Sequence, residues 1–219
     1  IDKDLAKFIK EFKHIVYHNP KIDLNKYGPG WAWDDYNNYY QAERSEMPIY
    51  GNVVQIIKNS NGEIEVTPDK YKIVFDFEQN NITYRSETEN KFFINPSLLK
   101  SGDTIYSPFI TSRKNTTSLL ENALEKTVEF NKDELKDYST LNSTQVDEIY
   151  SAILKDSDNL ISESIAANIS FRLNDTISVD KGVKFIQNIS KQTELFDGSG
   201  LSRYNLVTPK SVISSLHDI

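Results

Sequence analysis

A serine hydroxyl and an asparagine amide two residues apart, Ser157-Asp158-Asn159, are the groups in this sequence best suited to moving a proton beside a carbonyl. The hydroxyl can relay a proton between a lysine base and a leaving amine, while the amide holds both that lysine and a substrate backbone. A Ser-x-Asn triplet serves acyl transfer when it stands with Ser-x-x-Lys, which supplies nucleophile and base, and with Lys-Thr-Gly. In a chain this rich in Ser and Asn, about two such triplets arise by chance. The plain alternative is a helix stop followed by a new N-cap.

Two Ser-x-x-Lys strings occur, Ser97-Leu98-Leu99-Lys100 and Ser178-Val179-Asp180-Lys181. No Lys-Thr-Gly follows Ser157, Lys100-Ser101-Gly102 overlaps the first string, and Ser178 comes after Ser157. Both strings therefore read as surface helix starts, for which serine is a common cap. The alternative makes Ser97 the nucleophile and Lys100 its base. Asp34 and Asp35 sit in an aromatic loop, where adjacent carboxylates usually cap or stay solvated. Ser199 in Gly198-Ser199-Gly200 lacks the Gly-x-Ser-x-Gly frame of a nucleophile elbow. Asp197 and the two glycines instead read as a tight turn that positions the following helix, with Arg203 available to a carboxylate. His14, His18 and His217 have no ligand spacing and there is no cysteine, so no metal site is read from them, and acyl transfer of the kind described needs no metal or organic cofactor.

Composition narrows the classes further. At 38% hydrophobic and 26% charged, the 219 residues are globular in character, and no run approaches the ~20 apolar residues of a membrane-spanning helix. A formal net charge of −7 without a basic cluster argues against nucleic acid as a partner. No leader segment is visible and position 1 is Ile, which is the expectation for a piece of a longer polypeptide.

The elements that must position these groups follow from periodicity. Leu5, Phe8, Ile9 and Phe12 predict a helix over 2–13. Tyr27 to Tyr36, with Gly28-Pro29-Gly30, is a loop carrying Trp31 and Trp33, which are expected to pack it together with Asp34. Short β-rich runs at 52–57, 63–66, 71–77, 82–84 and 92–94 predict an antiparallel sheet, and Asn61-Gly62 predicts a two-residue hairpin. Leu119, Leu120, Ala123, Leu124 and Val128 predict a helix opened by a Ser118/Glu121 capping box. Further helices follow Thr144, the break at 157–159, Val179, and Thr208-Pro209, where proline takes the first helical position.

Three segments carry a family resemblance. Ser143 to Ser164, with a helix ending in Ser157-Asp158-Asn159, an aliphatic Leu160 and Glu163, resembles the second-motif region of the D-Ala-D-Ala carboxypeptidase/endopeptidase family, peptidase family S13. Asp197-Gly198-Ser199-Gly200-Leu201-Ser202-Arg203-Tyr204-Asn205 is similar to a hallmark of that family. Gly28-Pro29-Gly30-Trp31-Ala32-Trp33-Asp34-Asp35 resembles the loop that opens its inserted domain.

The resemblance implies an α+β fold in which a β-rich inserted domain, residues 1–120, joins the helical part of a serine β-lactamase/transpeptidase-like domain, residues 121–219. It implies acyl transfer on peptidoglycan stem peptides, with Ser157 relaying the proton and Asn159 orienting substrate. Asp35 would bind the ammonium of the peptide's diamino acid, where a charge-assisted bond outweighs a neutral one. It further implies that the nucleophilic serine and Lys-Thr-Gly lie outside these residues, that β-lactams inhibit the whole enzyme covalently, and that the protein works outside the cytoplasm. The rival expectation is a non-catalytic module of the same ancestry that holds peptidoglycan peptide without cleaving it.

Overall fold

The computed structural model describes residues 3–18, 21–131, 145–189 and 192–217. In chain order, helix α1 (Lys3–Lys10) leads into strands β1 (Ile15–His18) and β2 (Lys21–Ile22). After the aromatic loop come β3 (Val53–Lys58), β4 (Ile64–Thr67), β5 (Lys72–Phe75), β6 (Thr83–Arg85), β7 (Lys91–Ile94) and β8 (Thr104–Pro108). Helix α2 (Arg113–Leu124) and strand β9 (Val128–Asn131) follow. The remainder is α3 (Val146–Leu154), α4 (Asn159–Asn174), β10 (Thr176–Ile177), α5 (Val179–Ile189), β11 (Thr193–Glu194), β12 (Leu206–Val207) and α6 (Pro209–His217). The fold is thus the expected mixture of helices and sheets. No helix among the described residues is long and apolar enough to cross a membrane.

Alternation dictates the first core. In β3 the inward positions Val54 and Ile56, and in β7 Phe92 and Ile94, are completely buried, as a period of two requires of a half-covered strand. Phe109, Leu119 and Leu124 close over them from the end of β8 and from α2. The expected single antiparallel sheet is corrected to two three-stranded sheets. One is antiparallel in the order β4-β3-β8; the other, β5-β7-β6, is mixed, with β5 parallel to β7. Apolar alternation sets which face is inward but carries no information on strand direction, so a parallel pair is invisible to it.

Two local readings are also corrected. The hairpin between β3 and β4 has a three-residue loop: Gly62 N–H donates to Asn59 O at 3.1 Å, Asn59 N–H to Glu63 O at 3.0 Å, and only Gly62 takes positive φ (+88°). That is a type I turn with a glycine bulge. Helix α2 starts five residues before Ser118. Ser112 is its N-cap and accepts from Asn115 N–H at 3.1 Å, while Glu121 accepts instead from Val128 N–H, which begins β9 and not a helical turn. The helices after residue 145 match expectation, with Asp158 capping α4 and Thr208 Oγ1 accepting from Ser211 N–H at the start of α6. Thr144 itself lies outside the described residues.

A second, smaller core joins Ala166, Ala167, Val179 and Val183 of α4 and α5 to Leu24 and Ile177. The N-terminal strands reach both cores: β2 pairs in parallel with β10 beside the second, and β1 in parallel with β9, whose Val128 belongs to the first.

Candidate active site

The three sequence segments meet in space through one closed chain of contacts. Trp31 donates from Nε1 to Asp197 Oδ2 at 2.7 Å, and the Arg44 guanidinium lies over the Trp31 ring at 4.8 Å. Arg44 Nη2 sits 2.7 Å from Glu163 Oε2, both side chains being 2% exposed. The pair is at contact distance without the alignment of a hydrogen bond. Glu163 Oε1 in turn accepts from Gly198 N–H at 3.0 Å and Ser199 N–H at 2.8 Å, next to the Asp197 where the circuit began. Each motif is thus held by the other two. Burial pushes the Glu163 carboxyl up from its ordinary range, against the pull of the Arg44 cation and the Ser199 hydrogen bonds.

Asp197 organises the glycine turn. Its Oδ1 accepts from Gly200 N–H at 2.9 Å and Asn205 Nδ2 at 2.6 Å, and its Oδ2 accepts from Ser202 N–H at 2.6 Å besides Trp31. Ser199 Oγ donates weakly to the same carboxylate at 3.4 Å, which makes it part of the turn. Gly198 is required by proximity, because a Cβ there would stand 2.8 Å from the backbone oxygen of Ser162 in α4. Ser202 Oγ reaches Pro29 O at 2.6 Å, pinning the turn onto the Gly28-Pro29-Gly30 loop.

Ser157 and Asn159 occupy the kink between α3 and α4. Ser157 takes positive φ (+54°), a conformation a non-glycine residue adopts only where surroundings enforce it. Here Asp158 N–H donates to Ala152 O at 3.0 Å on one side, and Asp158 Oδ1 caps Ile161 N–H at 2.9 Å on the other. The Ser157 side chain is exposed. Asn159 is half-buried and donates from Nδ2 to the backbone oxygen of Tyr40 at 2.8 Å.

Asp35 lies in a short 3-10 turn, Trp33–Asn37. Its Oδ1 accepts from Asn38 Nδ2 at 3.0 Å, and the same amide donates to the Tyr40 hydroxyl at 3.0 Å. Burial and then the neighbouring Asp35 raise the Tyr40 phenol above its ordinary range. One residue, Tyr40, therefore touches the surroundings of both Asn159 and Asp35. Tyr40 thus links Asn159 at the kink to Asp35 in the loop, while Glu163 of the same helix α4 holds the Asp197–Gly200 turn through the Gly198 and Ser199 amides.

Three expectations fail here. Trp33 does not pack the loop, being 81% exposed, and Asp34 is exposed beside it; Trp31 alone does the packing. Arg203 is exposed and has no carboxylate within ion-pair distance among the described residues. Neither Ser-x-x-Lys string is a surface helix start in full: the exposed Ser97 opens no α-helix, and Ser178 opens one from a buried position. Ser97 is the second residue of a three-residue 3-10 turn capped by Asn95, so Lys100 lies beyond any helical face shared with it. Ser178 does open α5 but is completely buried. Sequence reasoning also passed over Arg44 and Tyr40. A signal for the first existed: Glu163 falls on the buried face of α4 with Ala166, Ala167 and Ser170, and a buried carboxylate demands a cation from elsewhere. Tyr40 acts on Asn159 through its backbone oxygen, which no side-chain pattern reports.

Comparison with known proteins gives the following. Residues 122–219 match the model of the D-Ala-D-Ala carboxypeptidase 3 (S13) family. No curated protein matches the chain. A crystal structure of penicillin binding protein 4 (dacB) from Haemophilus influenzae superposes with a TM-score of 0.65 at 19% identity, covering 90% of this chain and 51% of that one. The same protein complexed with a novel β-lactam superposes with a TM-score of 0.53 at 16% identity, covering 98% and 55%. The likeness is one of fold, and the chain spans about half the length of these solved structures.

Proposed function

From the match of residues 122–219 to the D-Ala-D-Ala carboxypeptidase 3 (S13) family model, we propose that the chain is a partial member of that family and supplies one wall of a serine D-Ala-D-Ala carboxypeptidase/endopeptidase site acting on peptidoglycan stem peptides. The observation that carries this reading is the hydrogen bond from Asn159 to Tyr40, which ties the Ser-x-Asn kink to the loop bearing Asp35. A substrate lying along that junction would meet the Ser157 hydroxyl, the Asn159 amide and the Asp35 carboxylate in turn.

In this scheme a serine in polypeptide outside residues 1–219 attacks the D-Ala-D-Ala carbonyl, and a lysine beside it takes the proton. Ser157 passes a proton to the departing D-alanine amine, for which its exposed hydroxyl is suited. Asn159 orients the peptide backbone. Asp35 pairs with the ammonium of the diamino acid. Water then resolves the acyl-enzyme. β-Lactams would acylate the same serine, and the substrate puts the enzyme outside the cytoplasm. The division at residues 120 and 121 belongs to the same proposal. Neither Ser97 nor Ser178 is offered as nucleophile, for the geometric reasons given above.

The test is D-alanine release from a peptide ending in D-Ala-D-Ala by the complete protein. Ser157→Ala should lower kcat by roughly a hundred- to ten-thousand-fold, the range of a general acid or base. An unchanged rate overturns the assignment. Peptide binding by the unsubstituted protein without any turnover would favour the non-catalytic module.

A further inference from the structure

Two adjacent carboxylates, Asp34 and Asp35, are followed at a spacing of three by two adjacent amides, Asn37 and Asn38. Residues three apart eclipse in a 3-10 turn, so each carboxylate has one amide placed to reach it. Among the described residues only one of these pairs closes. Asn38 Nδ2 donates to Asp35 Oδ1 at 3.0 Å, whereas the Asn37 side chain is drawn to β6, its Oδ1 accepting from Arg85 N–H at 2.7 Å. Asp35 is half-buried and Asp34 is exposed.

The turn does not depend on the Asn38 side chain. Its backbone closes the turn instead, since Asn38 N–H donates to Asp35 O at 2.8 Å and Asn38 O accepts from Gln41 N–H at 2.9 Å. The exposed side-chain amide engages two acceptors of its own, Asp35 Oδ1 and, at 3.0 Å, the Tyr40 hydroxyl oxygen. It thereby stands carboxylate and phenol side by side. Burial and then the Asp35 charge raise the phenol above its ordinary range, so it keeps its proton while it accepts from Asn38. A carboxylate fixed in advance can receive an ammonium without first losing its own rotational freedom.

On the reading that Asp35 meets the ammonium of the diamino acid, we propose that Asn38 is the positioning residue of that carboxylate. Its amide selects Asp35 over Asp34 and holds the Asp35 carboxylate, beside the Tyr40 hydroxyl, in the orientation that receives the ammonium. Asn38 acts through Asp35 and not on the substrate directly. Its loss therefore weakens recognition of the ammonium in particular, and only while the Asp35 carboxylate is there to be held.

The experiment measures KM and kcat of the complete protein on two peptides ending in D-Ala-D-Ala, one with the diamino acid's ammonium free and one with it acetylated. The readout is the ratio of the two KM values, acetylated over free. Asn38→Ala should lower that ratio roughly three- to tenfold, the worth of one net hydrogen bond, by raising KM on the free peptide. Asp35→Asn should bring the ratio close to one, and adding Asn38→Ala to it should lower the ratio no further. Asp34→Asn should keep the parent ratio. A parent ratio in Asn38→Ala, equal KM increases on both peptides, additive losses in the double variant, or a ratio lost with Asp34→Asn would each overturn the role of Asn38 while leaving Asp35 in place. A parent ratio in Asp35→Asn would overturn that role together with the assignment of Asp35 on which it rests.

Discussion

Asn159 and Tyr40 are 119 positions apart in sequence, yet the Asn159 side-chain amide donates to the Tyr40 backbone oxygen at 2.8 Å. This contact fixes which way the amide faces. With Nδ2 engaged by the loop, the carbonyl end is left for a donor approaching from the open side of the kink. It also makes the loop and the helix start a single unit, so that displacement of one is felt by the other.

Breaking the buried pair behind that unit should be severe. Glu163→Gln keeps an acceptor for the Gly198 and Ser199 amides but leaves the Arg44 guanidinium buried without a counter-charge. A loss of about 3–5 kcal/mol in urea unfolding is expected. Replacing both partners by apolar residues, as in Arg44→Met with Glu163→Leu, should cost less than either single change. Additive losses across that cycle would contradict the argument.

Close approach of α4 and α5 makes a second prediction. A Cβ at Gly182 would stand 1.8 Å from the backbone oxygen of Ala166. Gly182→Ala should therefore force the helices apart and destabilise by at least the roughly 1–3 kcal/mol typical of overpacking. Gly62→Ala is the control: its space is open but its φ is +88°, so only the left-handed penalty of about 1–2 kcal/mol applies. Melting temperatures of the two variants read the difference.

Alkaline stability gives a third. Burial, the largest cause in each case, pushes the phenols of Tyr27 and Tyr71 up from 10.0 to about 12. Below pH 10 both states hold the proton and stability is unaffected. Between pH 10 and 12 the unfolded chain releases it while the folded protein does not, so stability falls across that window. Urea midpoints should decline there, and Tyr71→Phe should decline less steeply. A variant that follows the parent curve would show that burial does not hold the phenol neutral.

Much of this architecture was legible in the sequence, for identifiable reasons. The kink at 157–159 announced itself because Asp158 is a strong N-cap behind an apolar-periodic run, and Thr208-Pro209 marked α6 the same way. The buried faces of β3 and β7 followed from alternation. What stayed hidden was whatever depends on distant partners. The parallel pairing of β5 with β7 leaves no trace in alternation, and Ser112 outcompeted Ser118 as a cap because β8 ends at Pro108 and delivers the chain early. Within the site, the hallmark Asp197 turn was seen as a turn. Its engagement by Trp31, and the role of Arg44 between Trp31 and Glu163, needed three dimensions.

Substrate recognition is the fourth prediction. Asp35→Asn keeps the hydrogen bond with Asn38 but removes the charge. For the complete protein and a peptide bearing a diamino acid, kcat/KM should fall about ten- to a hundred-fold, the worth of a charge-assisted bond, mainly through KM. A peptide whose ammonium is acetylated should show no such difference. Equal losses on both peptides would assign Asp35 to loop structure alone.

The central claim is that the Ser157–Asn159 kink belongs to an acylation site whose nucleophile is neither Ser97 nor Ser178. The most direct measurement is the rate at which the complete protein is labelled by a fluorescent penicillin. Asn159→Ala should slow labelling by about a hundred-fold or more, while Ser97→Ala leaves it unchanged. Labelling that persists at full rate without the Asn159 amide, or that disappears with the Ser97 hydroxyl, would contradict the account.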